Sequence, residues 1–304
     1  MSDDKMVQAA TRDAKSDMWM QTGCWEASDR FLFFDVCSKV GSSDPLSNWT
    51  EQLEKIRSFF VTKRKTSTPI HIPSLPPHIL FSADLFRLCC RHLKTDEFSE
   101  EAFCSFCSYI LKEELSLSNA SIFIETNLLS RIRALSQPVS RALYTAHMDM
   151  LSHHPSAVAS CLLFPLITSD ADCGVPQKEL VLKLLQSLSV EAISSLLQKV
   201  IVHYTHTGVP WTHTTVTGLK VLLERGELDF GDDDMFDKIV AEMHHNFNLF
   251  ANDVMFIGVV SQFISKYLDR MRRHADVFIA DLQKSKLFLA KMSIQKLESL
   301  KKEG

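Results

Sequence analysis

Glycine is scarce in this chain, and the sequence has no glycine-rich phosphate loop. Only 9 of its 304 residues are glycine. Loops of the G-x-x-x-x-G-K-S/T or G-x-G-x-x-G type need several close glycines, because their backbone must approach the phosphates. A G-x-S-x-G nucleophile elbow is missing as well. The sequence therefore offers no catalytic residues, and we expect a protein without enzymatic activity and without a cofactor.

Long hydrophobic runs are also missing. The longest uncharged apolar run, residues 157–167, is far shorter than the roughly 20 residues of a membrane helix. The polar first residues do not resemble a secretory signal. A net charge of −4 gives no global attraction to nucleic acid or to a membrane. We therefore expect a soluble intracellular protein whose eight cysteines are reduced.

Cysteine spacing leaves one alternative open, a zinc site. Cys104 and Cys107 are separated by two residues, and Cys89 and Cys90 would have to provide the second pair of ligands. Cysteine on an apolar helix face is more often a small buried hydrophobe. We expect burial and no metal at these four residues, with a zinc-dependent protein as the alternative.

Apolar residues recur at helical spacing through most of the chain, in which 45% of residues are hydrophobic. Pro138, Pro155 and Pro176 suit first helical turns, where no backbone donor is lost. Short connections favour antiparallel neighbours. The predicted helices are 79–93, 99–113, 118–134, 138–153, 155–167, 177–188, 190–206, 212–225, 232–247, 250–268, 271–284 and 287–301.

A weak repeat runs through the second half of the chain. Similar apolar helices begin near Gln177, Thr212, Ala251 and Leu287, at intervals of 35, 39 and 36 residues. This interval is the length of one helical hairpin in TPR-to-HEAT repeat proteins. The sequence therefore predicts an all-α fold, an elongated solenoid of antiparallel helical hairpins of the HEAT/ARM type.

The first part of the chain has a different organisation. Residues 1–22 lack apolar periodicity and are expected to be disordered. Residues 23–62 are expected to form a short helical segment, with one helix at 30–40 and another that starts at Asn48 with a capping box to Glu51. Four prolines in residues 62–78 indicate a linker at 63–78. The helical-repeat domain is expected to cover residues 79–302.

Charge is separated late in the chain. Residues 224–253 contain nine acidic and two basic residues, whereas residues 263–304 contain ten basic and five acidic residues. One interpretation is that the protein offers two docking surfaces of opposite charge. The alternative is a set of ordinary solvated helix faces.

A set of segments from residue 79 onward forms an ordered pattern. The segments are Leu115–Ala120, Leu128–Ile132, Ser140–Leu143, Val175–Leu180, Pro210–Trp211, Leu219 with Val221–Arg225, Lys266–Tyr267 and Phe288–Lys291 with Leu297. In order and spacing they resemble the C-terminal domain of the Fanconi anaemia group E protein family. The resemblance covers about 220 residues, and residues 1–78 do not take part.

This resemblance implies a fold of Fanconi helical repeats and a non-enzymatic adaptor function. In that family, the domain belongs to a nuclear core complex, binds the group C protein and other subunits, and recruits the group D ubiquitin acceptor. The acceptor is monoubiquitinated during DNA interstrand crosslink repair. The alternative is an unrelated HEAT-like interaction scaffold whose resemblance reflects only leucine-rich helices.

The resemblance also implies a client-binding residue, the Phe of the closing helix, which is Phe288 here. We expect Phe288, Leu289 and Lys291 to contact the ubiquitin acceptor, within a basic rim that includes Lys284 and Lys286. The alternative is that Phe288 packs inside the last hairpin, together with Leu289, Ile294 and Leu297.

A second interface is expected in the early repeats. An Arg among Leu and Ile residues on one helix is a common interface composition. We therefore expect Leu128, Leu129, Arg131 and Ile132 to bind the group C protein. The alternative is that these residues form ordinary core.

Overall fold

The computed structural model describes residues 45–61, 75, 79–80, 82–230 and 233–302. Every regular element in these ranges is a helix, which confirms the predicted all-α class. The predicted helix at residues 30–40 lies outside the described residues. The α-helices are α1 Pro45–Val61, α2 Ala83–His92, α3 Glu100–Leu111, α4 Leu117–Phe123, α5 Leu129–Arg133, α6 Arg141–His153, α7 Pro155–Val158, α8 Phe164–Ile167, α9 Val175–Ser187, α10 Val190–Thr207, α11 His213–Arg225, α12 Asp233–Phe250, α13 Val254–Lys266, α14 Ala275–Leu282 and α15 Phe288–Lys302.

Short helical turns of other types lie between some of these helices. Two 3-10 turns precede α3 and α14, at Thr95–Glu97 and Leu268–His274. Two π-helical turns, Ile124–Leu128 and Ala159–Leu163, join α4 to α5 and α7 to α8. Each of these joined pairs therefore continues as one helix with an irregular centre.

The helices from α2 onward pack in two rows. The front row consists of α3, α6, α9, α11, α13 and α15, and each member contacts the next. The back row consists of α2, α4, α7 with α8, α10, α12 and α14, again in order along the chain. Each back-row helix leads by a short connection to a front-row helix, so the unit is a hairpin. This arrangement confirms the predicted helical repeat.

Serine side chains set the starts of many helices. The Ser99 hydroxyl accepts a hydrogen bond from the backbone N–H of Ala102, which satisfies a donor that the first helical turn leaves free. Pro155 and Pro176 lie in first turns, as expected. Pro138 does not, because α6 begins only at Arg141. The same serine cap is found at Ser82, Ser116, Ser140 and Ser189.

The starts of the last front-row helices lie side by side along one edge, here called the front edge. The Thr214 N–H at the start of α11 donates to Asp172, just before α9. The Trp211 N–H, before α11, donates to Asn246 in α12. The Lys286 N–H, before α15, donates to the Asn252 side chain, before α13. Successive front-row helices therefore run parallel, with their N-termini at the same edge.

Helix α1 differs from its prediction. The chain divides into two units, and the boundary between Leu53 and Glu54 lies inside α1. Asn48 lies within the helix and is not its N-cap, so the predicted capping box is wrong. In the second unit, the Phe60 ring stacks on Phe98 with 5.8 Å between centroids. The predicted limits at residues 62 and 78 stay a prediction.

The first π turn has its own hydrogen-bond partners. A π turn contains one extra residue, which frees helix carbonyls from their usual donors. The Thr126 hydroxyl donates to the carbonyl of Ile122, and the Asn127 amide donates to the carbonyl of Phe123. The Thr95 hydroxyl in turn donates to Asn127 at 2.6 Å. A half-buried threonine and a buried asparagine thus donate hydrogen bonds to the irregular backbone.

None of the described helices is long and apolar enough to cross a membrane by itself. The pair Arg141–His153 and Pro155–Ile167 reaches the length and composition of a span only when both parts are counted together, across a bend of 117°.

Candidate protein-interaction site

Phe288, the first residue of α15, lies on the surface of the last hairpin. Its side chain is 76% exposed, and Met292, one turn later, is 42% exposed. The opposite face of α15 is buried through Ala290, Leu297 and Leu300. Phe288 therefore does not pack inside the last hairpin, and the core alternative is wrong for this residue. Its ring is available to a partner.

The other two predicted client-binding residues differ in exposure. Leu289 is half-buried at the flank of α15, whereas Lys291 is exposed. Lys291 forms no ion pair with any of the described residues. Leu289 therefore supports the position of Phe288, while Lys291 presents a free charge close to it.

Hydrogen bonds fix the turn before Phe288. The Leu287 N–H donates to the Ser285 hydroxyl at 3.3 Å, and the Lys286 N–H donates to Asn252 at 3.2 Å. The Ser293 hydroxyl, which is buried, donates to the carbonyl of Leu289. The start of α15 is thus held to the preceding repeat, so the exposed ring has a defined position.

Two further exposed apolar side chains lie at the turn between α12 and α13. Val254 is 65% exposed and Leu249 is 63% exposed. Val254 directly follows Asp253, whose carboxylate accepts hydrogen bonds from the N–H groups of Met255 and Phe256. Sequence analysis missed both residues. The Asp253 cap was the available signal, because a residue right after an N-cap lies at the open end of its helix.

The acidic and basic segments of the sequence meet in the structure. Arg273 pairs with Asp233 at 3.1 Å and with Asp237 at 2.8 Å. His274 also contacts Asp237, and Arg270 lies 3.8 Å from Asp233. These ion pairs join the start of α12 to the 3-10 turn before α14. The interpretation as two separate docking surfaces is therefore wrong for these residues, since they neutralise each other.

Other basic residues near the end of the chain are also paired. Asp281 is only 2% exposed, and it contacts both His244 and Lys284. Lys301 pairs with Asp276. Four lysines of α15 and the turn before it have no ion pair with any described residue. They are Lys286, Lys291, Lys296 and Lys302.

The residues predicted to bind the group C protein are mostly in the core. Leu128 and Ile132 are fully buried, and Leu129 is 6% exposed. The Arg131 guanidinium donates to the backbone carbonyls of Thr95 and Phe98 at 3.1 and 2.9 Å. Leu128 and Ile132 therefore cannot contact a partner unless the repeat opens. The Arg131 guanidinium is already hydrogen-bonded within the fold.

An open cleft of about 620 Å³ lies beside Arg131. Its lining includes the exposed carboxylates Asp96 and Glu100, the exposed Ser130, and the loop between α5 and α6. In this region polar and charged groups such as Asp96, Glu100 and Ser130 are exposed to solvent. The predicted leucine and isoleucine side chains are buried.

Three of the four cysteines of the zinc alternative lie in the core, and the fourth, Cys104, is half-buried. Cys89, Cys90 and Cys107 are buried. Burial raises the pKa of the Cys90 thiol to about 12 and also raises the pKa values of Cys89 and Cys107. A zinc ligand must be a thiolate. No cluster of three or more metal-binding side chains occurs in the described part of the chain.

The geometry is that of a repeat protein with an exposed aromatic residue on its last hairpin, and its sequence matches a known family. The model of the Fanconi anaemia group E protein family matches residues 73–249, which is more than half of the chain. The chain belongs to the Fanconi anaemia group E protein family. A human relative, Fanconi anemia group E protein, is 30% identical over 142 residues, which are 45% of this chain and 25% of the human protein.

The match to the Fanconi group E family has limits along both chains. The chain matches only a quarter of the length of its human relative. The family model ends at residue 249, in α12, so the last front-row helices and Phe288 lie beyond it.

Proposed function

We propose that this protein is a non-enzymatic adaptor subunit of the nuclear Fanconi anaemia core complex. In this role it binds the group C protein and brings the group D ubiquitin acceptor to the complex. The acceptor is then monoubiquitinated during the repair of DNA interstrand crosslinks. Membership of the Fanconi group E family supports this pathway, and it argues against an unrelated scaffold.

The observation that carries the client-binding part of the proposal is the exposure of Phe288. A large aromatic side chain that is 76% exposed on a well-packed helix loses little entropy on binding, because its base is already fixed. Such residues are typical anchors of protein interfaces. Truncating one to alanine costs about 2 kcal/mol or more of binding free energy. Lys286 and Lys291, which have no ion pair among the described residues, would accelerate the encounter with an acidic client.

The group C interface is proposed for the early repeats, around Arg131. The buried Leu128, Leu129 and Ile132 keep this segment folded, whereas Ser130 and Arg133 are exposed. We expect the contact to involve the exposed pair and the adjacent cleft. Arg133→Gln should then weaken group C binding, while the free energy of unfolding stays within about 0.5 kcal/mol of the wild type.

The test of the adaptor function uses Phe288→Ala and a matched control, Val190→Ala. Val190 is also the first residue of a helix and is 52% exposed, but it belongs to the back row. Both variants should unfold like the wild type. Phe288→Ala should weaken binding to the purified group D acceptor about 30-fold, with group C binding unchanged, whereas Val190→Ala should bind both proteins normally.

Two results would contradict this function. If Phe288→Ala binds the acceptor as tightly as the wild type does, Phe288 is not the client-binding residue. If the wild-type chain does not co-purify with the group C protein, the chain is not an adaptor of this complex.

A further inference from the structure

Val254 and Phe288 occupy equivalent positions in neighbouring repeats. Each is the first residue of a front-row helix, α13 or α15. Their side chains are 65% and 76% exposed. The hydrogen bond between the Lys286 N–H and Asn252 joins the two turns that lead into these helices. The two apolar side chains therefore lie at the same level of the front edge, one repeat apart.

The distance between these positions suits a helix that crosses the edge. Packed neighbouring helices lie about 8–10 Å apart. Residues i and i+7 of an α-helix lie on the same face and are separated by about 10 Å along its axis. One helix can therefore place two apolar residues on Val254 and Phe288 at once, with Met292 and Leu249 beside them.

The surrounding charge indicates what kind of helix fits. Lys286 and Lys291 flank Phe288 and have no ion pair among the described residues. The nearest carboxylate at the start of α13, Asp253, already caps that helix and pairs with His213 at 3.2 Å. Helix N-termini, which carry a partial positive charge, also point toward this edge. The site is therefore apolar at its centre and positive at its rim.

The site is limited to two repeats. The next front-row helix begins with His213, whose ring packs against Phe250 with 5.2 Å between centroids and whose imidazole faces Asp253. His213 is polar and already contacts Phe250 and Asp253, so the apolar surface ends at this residue. On the other side, the surface includes Phe288 and Met292 of α15. A crossing helix of about three turns covers this surface.

We propose that Val254 and Phe288 form one binding site for an acidic amphipathic helix of the client, with apolar residues seven positions apart. This inference rests on the client-binding role proposed for Phe288. It adds Val254 as a second anchor, and it specifies the charge and the apolar spacing of the bound segment.

The first experiment tests Val254 in the full chain with Val254→Glu, using Val190→Glu as its control. A glutamate at the first position of a helix favours the helix dipole, so neither variant should be less stable than the wild type. Val254→Glu removes an anchor and repels an acidic partner. It should weaken binding of the group D acceptor by about tenfold or more, whereas Val190→Glu should change it by less than about twofold.

The second experiment tests the partner chemistry with labelled 18-residue model helices. The probe contains Leu at positions i and i+7 on an Ala/Glu background, and its binding is measured by fluorescence anisotropy. It should bind the wild type, lose about tenfold in affinity to Val254→Glu, and bind more weakly as salt rises. A peptide with Lys in place of Glu, or with the two Leu on opposite faces, should not bind.

The outcomes separate this inference from the proposed function. If Phe288→Ala weakens acceptor binding but Val254→Glu does not, Phe288 binds the client alone, and the two-anchor site is wrong. If the Lys peptide binds as well as the Glu peptide, the acidic partner is wrong. If both protein variants bind the acceptor like the wild type while the Glu peptide still requires Val254, the site exists but the client-binding function fails.

Discussion

The guanidinium of Arg131 lies over the ring of Phe103, 4.3 Å from its centroid. The same group donates to the carbonyls of Thr95 and Phe98. One side chain thus joins the second hairpin to the first through two charged hydrogen bonds and a cation–π contact. Its role in folding can be separated experimentally from the interface role that its sequence context suggests.

Replacement of Arg131 should destabilise the fold. Arg131→Leu removes two charged hydrogen bonds, each of which contributes about 1.5–3 kcal/mol. The Phe98 carbonyl loses its donor, whereas the Thr95 carbonyl keeps the backbone N–H of Phe98. We expect the free energy of unfolding to fall by about 3 kcal/mol, measured by urea denaturation. Arg133→Leu, an exposed neighbour, should lower it by less than about 0.5 kcal/mol. Equal effects of the two variants would contradict the assigned role of Arg131.

Acid should destabilise the protein through His147. This residue is 1% exposed, its Nδ1 contacts the carbonyl of Leu143 at 2.6 Å, and its Nε2 has no hydrogen-bond partner among the described residues. Burial, aided by the charge of Arg131, lowers the pKa of His147 to about 4. The unfolded chain therefore binds a proton more readily than the folded chain does. Stability is complete above the ordinary histidine pKa and falls as the pH decreases toward 4.

The measurement compares the wild type with His147→Leu. Between about pH 7 and about pH 5, the wild type should lose about 2 kcal/mol of unfolding free energy through this residue. His147→Leu should not show this part of the decrease in unfolding free energy. Partial burial also lowers the pKa values of His154 and His203, and both remain in the variant. Identical pH profiles would show that His147 does not titrate in this way.

Replacing Lys94 with glycine should stabilise the protein. Lys94 follows α2 with φ 46° and ψ 56°, a left-handed conformation in which a side chain is strained. Lys94→Gly should therefore raise the melting temperature, with a gain of about 0.5–1 kcal/mol. Lys112, which follows α3, has φ −75°. Lys112→Gly should instead destabilise by a similar amount, and a gain in both variants would contradict the conformational explanation.

Two helical glycines should respond differently to alanine. A Cβ at Gly258 in α13 would meet only the Lys220 side chain, at 3.6 Å. A Cβ at Gly218 in α11 would meet three atoms of Ile167 at 3.1–3.3 Å. Gly258→Ala should raise the free energy of unfolding by about 1 kcal/mol, because alanine favours a helix more than glycine does. Gly218→Ala should be less stable than Gly258→Ala by about 1 kcal/mol, and calorimetry measures the difference.

The repeat fold could be predicted from sequence because its signals are local. Apolar residues recur at helical spacing, and caps such as Ser99 mark helix starts. The same local information failed for Leu128 and Ile132. Apolar residues on a helix show which positions share a face, but they do not show whether that face meets another repeat or a partner. The π turn that contains Leu128 packs against α2, which ends 36 residues earlier at His92.

Long-range pairing explains the other differences. The ion pair of Asp233 with Arg273 joins residues 40 positions apart, so composition alone showed two charged segments and not their mutual neutralisation. The front edge arises in the same way. Val254 and Phe288 become neighbours only because parallel helices from successive hairpins begin at the same level.

The two π turns, Ile124–Leu128 and Ala159–Leu163, contact each other in successive helices of the back row. In a regular α-helix an extra residue would rotate everything that follows by about 100°. A π turn takes up the extra residue in one wide turn, so the residues before and after it keep the same side toward the neighbouring helix. The two wide turns lie against each other, so the irregular parts of both helices share one contact. Deleting one residue from either turn should therefore alter this contact without rotating the rest of that helix.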